Sequence, residues 1–280
     1  MPKLQFSVLM TLILNFKKLF ISSLSIGLAA NVILAGEVKL KSHQKAPKNY
    51  YTVKNFLHKL EKDDIVKELR LFLRASRPSR MANSEGNAKA FAYLKKRIRE
   101  IDPKGKERLS VHQFSPNFKS AIKEYQRDFK EKIAEQYRPQ DDEYKKWKRF
   151  TKSIVKTLKS LEGAKGKNLI WEKKGAESPS EVLIVGAHYD TISFDPKTHE
   201  IRPSTTMQGA DDNASGVTSL LGMIHFLKDL KLKKTVRIVF FDFQELGQLG
   251  SRAYVQKFKN DLKQQVKAYI NVEKIGHDTK

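Results

Sequence analysis

The chain has 280 residues, 40% of them hydrophobic, and a formal charge of +23. That is enough apolar material for one sizeable core or two small ones. The absence of cysteine excludes disulfides and any thiolate metal site, so a metal here would have to be held by His, Asp or Glu. The basic excess suits anionic partners such as nucleic acid, membrane headgroups or acidic polymer. No nucleic-acid motif accompanies it, and a solvated lysine-rich surface is the simpler reading.

Lys17 and Lys18 precede an apolar stretch, Leu19 to Ala35, that is interrupted by Ser22, Ser23, Ser25 and Asn31 and followed by Gly36. Residues 1–36 read as a signal peptide, which implies a secreted or periplasmic protein; a membrane anchor over 19–35 is the alternative. Residues 37–48 are polar and read as a linker. Residues 49–117 carry two helices. The first, Tyr50 to Ala75, spaces Val53, Phe56, Leu57, Leu60, Ile65, Leu69 and Phe72 along one face. The second, Asn87 to Ile101, does the same with Ala88, Phe91, Leu94 and Ile98, and Val111–Phe114 follows as a short strand.

Residues 118–166 form a Lys-rich block with apolar positions at helical spacing, broken at Arg138-Pro139-Gln140. This predicts an inserted pair of amphipathic helices; a cationic docking arm is the weaker alternative. Residues 167–280 alternate strand and helix: strands at Asn168–Trp171, Glu181–Ala187, Thr235–Asp242 and Val266–Val272, helices at Ser215–Leu230 and Leu249–Asn260. The runs VLIVGA and VRIVFFD are almost continuously apolar, as in strands buried on both faces. The expected fold is α/β, a mostly parallel central sheet flanked by helices.

In such sheets reactive groups gather at the carboxyl ends of strands. His188 and Asp190 follow VLIVGA, Gln244 and Glu245 follow VRIVFFD, Glu273 follows AYINV, and Asp211 and Asp212 precede the Ser215 helix. His-x-Asp alone is weak. In this company it suggests a histidine ligand whose second ring nitrogen is held by Asp190. Oxygen and nitrogen donors without sulfur suit zinc, with manganese or cobalt as alternatives. His58, His112, His199 and His225 are read as packing or surface residues.

The segments GAHYD, GADDNASG and FFDFQELGQLGS resemble the co-catalytic zinc aminopeptidases, a family that includes secreted bacterial leucyl aminopeptidases, glutamate carboxypeptidase and glutaminyl cyclase. The resemblance covers roughly Asp64 to the C-terminus, interrupted by the Lys-rich block. It implies a zinc-exopeptidase-like fold, two zinc ions, a peptide substrate, and hydrolysis of N-terminal peptide bonds through a metal-bound hydroxide. It further implies His188, Asp212, Glu245 and Glu273 as metal ligands, Asp212 as the bridge, Asp190 as the group that orients His188, and a cis Asp212–Asn213 peptide.

The chain departs from that family at three points. Gln244 stands where the family has its general-base Glu. Glu273 stands where the family has Asp. The family's last His ligand lies beyond the strand ending near Glu273, with His277 too close to serve, which implies a C-terminally truncated domain. These departures leave a non-catalytic relic or binding protein as the alternative. Side-chain preference, oligomeric state, and the choice among aminopeptidase, carboxypeptidase and cyclase stay open.

Overall fold

The structure is a computed structural model that describes residues 62–202 and 208–276. The signal peptide or anchor, the linker, the start of the first helix, His58 and His277 lie outside the described residues. Among the described residues, no helix is long and apolar enough to cross a membrane.

Helices α1 (Lys62–Ala75) and α2 (Glu85–Ile101) come first. Ser84 caps α2 by accepting a hydrogen bond from the Asn87 amide, 3.1 Å, at the first turn where helical amides lack partners. Strand β1 (Leu109–Phe114) follows, then α3 (Phe118–Asp128), a wide π turn over Phe129–Ala134, and α4 (Asp142–Ser160). Asn117 caps α3 through the Ser120 amide. The block expected as two helices is therefore a helical hairpin, with its break around Pro139.

The remaining elements are β2 (Gly166–Lys173), β3 (Ser178–His188), α5 (Ser215–Leu227), β4 (Lys234–Phe241), α6 (Leu249–Lys257), α7 (Lys259–Gln265) and β5 (Val266–Asn271). They build one five-stranded sheet in the order β1-β2-β4-β3-β5. β3 runs parallel to β4 and β5, whereas β1–β2 and β2–β4 are antiparallel. The sheet is thus mixed. Only residues 174–177 join β2 to β3, too few for a crossover, so the chain must reverse direction there.

Period-two alternation sorts the strand residues between two apolar layers. Val236, Ile238 and Phe240 of β4, with Val185 and Ala187 of β3, face a core that includes Phe72, Leu94, Ile98, Val217, Leu220 and Ile224 of α1, α2 and α5. Val239 and Phe241, with Val182 and Ile184, face Tyr254 of α6 on the other side. A third cluster joins Ala121, Ile154 and Leu158 of the hairpin to Phe243, Leu246 and Leu249 beyond β4. The hairpin is thereby fixed to the loop that carries Gln244 and Glu245.

Candidate metal centre

His188 is the last residue of β3 and pairs with Phe241, the last of β4, so the two strands deliver their carboxyl ends side by side. Glu273 comes just after β5, and Asp212 lies in the turn that opens α5. The imidazole of His188 is buried, 3% exposed, and its Nε2 lies 3.3 Å from Asp212 Oδ1 and 3.8 Å from Glu273 Oε1. Ligand atoms from His188, Asp212 and Glu245 all fall within 4.8 Å of one another. Residues from four separate segments therefore converge on one point.

The Asp212 turn is shaped by its backbone. Gly209 adopts φ +53°, and a Cβ there would run into the Asp212 carbonyl. The Asp212–Asn213 peptide is cis, as the resemblance implies. Buried Asn213 donates to the Val272 carbonyl, 2.8 Å, and its Oδ1 accepts from the Lys274 amide, 3.3 Å. Asp211 Oδ1 accepts from the Gly276 amide, 2.7 Å. The turn that carries Asp212 is stitched in this way to the segment that carries Glu273.

Asp190 does something other than expected. Its carboxylate lies 3.7 Å from His188 Nδ1, beyond hydrogen-bond reach, and it is the Asp190 main-chain carbonyl that sits 3.1 Å from that nitrogen. The two carboxylate oxygens instead accept the amides of Gln244 and Glu245, each at 3.0 Å. Asp190 thus pins the Gln244–Glu245 loop with its side chain and steadies His188 with its backbone. Two amide donors are a good use of a fully buried carboxylate, since they replace lost water.

Other residues that support the centre carried no sequence signal of their own. The buried Arg80 guanidinium donates to the carbonyls of Tyr189, Gln208 and Gly209, tying the end of β3 to the Asp212 turn. Burial lowers its pKa to about 10, against the pull of Asp190, Asp212 and Glu245. Tyr125 of α3 donates to the Glu245 carbonyl, 3.1 Å. Asp242 accepts from Asn87 Nδ2, 3.0 Å, and from the Lys167 amide, 3.2 Å. The other described histidines stay apart: His112 is buried against Asn168, His199 stacks on Phe194, and His225 is exposed on α5.

The electrostatics show a cluster short of positive charge. Burial works against a protonated His188, yet Asp190, Asp212 and Glu273 together hold its pKa well above the imidazole range. Burial pushes Glu245 up to about 8; the His188 charge opposes this, and Asp212, Asp190 and Glu273 add to it. Asp212 resists its own burial and stays low because His188 and Lys274 face it. Glu273 is held low chiefly by His188. Asp212 Oδ1 is buried and accepts no hydrogen bond. An orphaned carboxylate oxygen among nitrogen and oxygen donors fits a divalent cation such as zinc.

The sheet, its flanking helices and the acids at its strand ends define a zinc-exopeptidase-like α/β fold. Solved structures share it. The chain superposes on a glutaminyl cyclase from an Acidobacteriales bacterium with TM-score 0.51 and 19% identity, covering 83% of this chain and 63% of that one. For the LapA aminopeptidase of Legionella pneumophila the values are 0.50, 17%, 83% and 48%. For a Zn-dependent exopeptidase from Parabacteroides distasonis they are 0.50, 17%, 78% and 63%.

Residues 168–280 match the family described as Peptidase family M28. Aminopeptidase YwaD of Bacillus subtilis is 29% identical over 126 residues, 45% of this chain and 25% of its own length. An aminopeptidase of Pseudomonas aeruginosa is 32% identical over 99 residues, 35% of this chain and 16% of its own. The chain spans a quarter or less of these relatives. Residues 168–280 are thus similar to that peptidase family, and the relatives named as aminopeptidases support the same likeness.

Proposed function

We propose that the chain is a zinc-dependent exopeptidase of aminopeptidase type, slowed by the substitution at Gln244. The observation that carries this reading is the convergence of His188, Asp212 and Glu245 within 4.8 Å at strand carboxyl ends. These three, with Glu273 at 3.8 Å from His188, would hold the metal. The chemistry that zinc supplies in such a site is Lewis acidity, which polarises a peptide carbonyl and acidifies water.

The chain's own residues do the rest. His188, buried and steadied by the Asp190 carbonyl, presents Nε2 to Asp212 and Glu273 in a fixed orientation. Asp190 fixes the Gln244–Glu245 loop through both amides. Gln244 stands where a side chain would have to take a proton from water and pass it to the leaving amine. Its amide cannot, and general acid–base catalysis typically contributes about 10²–10⁴-fold, so turnover is expected to be low. The family relatives named as aminopeptidases support a free N-terminus as the substrate feature.

The test is release of chromophore from aminoacyl anilides with zinc added and with zinc chelated. Slow, zinc-dependent release that disappears in His188→Ala and spares N-blocked substrates is expected. Release that persists under chelation, or in His188→Ala, would refute the assignment.

A further inference from the structure

Asp212 divides its two oxygens between two different nitrogen groups. Oδ1 faces His188 Nε2 at 3.3 Å, on the side where His188 and Glu273 offer ligand atoms. Oδ2 faces Lys274 Nζ, also at 3.3 Å. A bridging carboxylate would give one oxygen to each of two metals. Here one of those places is taken by a side chain of the protein.

Lys274 is held there by its backbone. It adopts φ +53°, which a residue with a side chain rarely takes. Its amide is tied to Asn213 Oδ1, and the Asp211–Gly276 bond closes the segment just beyond. Asp212, Glu245 and Glu273 are the other carboxylates of the centre. Asp190 is already matched by two amides, so three carboxylates remain to be neutralised. One divalent ion and one ammonium would balance them.

We propose that Lys274 is a built-in replacement for a second metal ion, making this a one-metal centre. The inference rests on the zinc-site reading above. Lys274 positions and neutralises Asp212, leaving Oδ1 to the single ion. A lysine ammonium is a compact point charge with three donors and can serve this purpose without ligands of its own.

The test is metal content, read without any activity assay. The purified chain is loaded with zinc, freed of excess, and measured by elemental analysis and calorimetric titration. Lys274→Met and Lys274→Arg are treated alike, with circular dichroism to confirm that each is folded. The parent and Lys274→Arg should hold one zinc per chain. Lys274→Met should either take a second ion or bind its single ion at least tenfold more tightly, because a like charge has been removed from Asp212. Two ions in the parent would overturn the inference and leave the zinc-site reading standing. So would a folded Lys274→Met that matches the parent in both number and affinity. No zinc in any folded variant would overturn the zinc site itself.

Discussion

Gln244 differs from glutamate by one amide group, and that group decides whether the side chain can carry a proton. The Gln244 amide nitrogen of the backbone is already fixed on Asp190, so a Gln244→Glu side chain would start from the same anchored backbone. Gln244→Glu is expected to raise kcat/KM on an aminoacyl anilide by about 10²-fold or more in added zinc. A rate equal to the parent's would show that position 244 is not where the proton goes. Arg80 makes a second case. Its fork spans three carbonyls on two segments, a geometry that lysine cannot reproduce. Arg80→Lys should lower stability by about 2–4 kcal/mol in denaturant unfolding, because buried carbonyls lose their donors; a change below about 0.5 kcal/mol would contradict the clamp. The proposed ligands His188, Asp212, Glu245 and Glu273 were legible in the sequence as candidates because residue types able to hold a metal are few and these lie near strand ends. Arg80 and Tyr125 were not, because each bonds main-chain carbonyls, which any residue provides.

The α3–α4 hairpin is basic outside and apolar inside, and its inner face seats the loop after β4. Leu158 and Ile154 are wholly buried in the cluster that contains Phe243 and Leu246. Leu158→Ala should cost about 2–5 kcal/mol, measured by denaturant unfolding, in line with cavity formation in a close-packed core. A cost under about 1 kcal/mol would mean that the hairpin is not docked as described. The hairpin was legible from helical spacing, and so were α2, α5 and all five strands to within a few residues. The direction of β2 was not. A strand buried on both faces shows the same apolar run whichever way it points, and only the short link 174–177 dictates reversal. The predicted Leu249–Asn260 helix is also two helices, α6 and α7, with Phe258 between them.

For the molecule as a whole, Asp242 links stability to pH. It is 2% exposed, and its pKa is raised to about 7, first by burial and then by the Asp190 charge. The folded state therefore holds this proton more tightly than the unfolded chain, whose aspartates titrate near 4. Stability from this group is present in full below about pH 4 and is lost as pH rises toward 7. Asp242→Asn should flatten the fall in unfolding free energy between about pH 4 and 7, by on the order of 2–4 kcal/mol across that window. A slope identical to the parent's would show that Asp242 is ionised throughout.

The register of β3 on β4 has one more consequence. Side chains alternate between faces, so a one-residue slip would turn every β3 residue over. His188 would then leave the centre for the face covered by α1, α2 and α5, and Ala187 or Tyr189 would stand in its place. The proposed cation site and the sheet alignment are thus the same information stored twice. A metal bound by His188 would act as a proofreader of strand pairing, rewarding the one alignment in which the histidine and the carboxylates face each other.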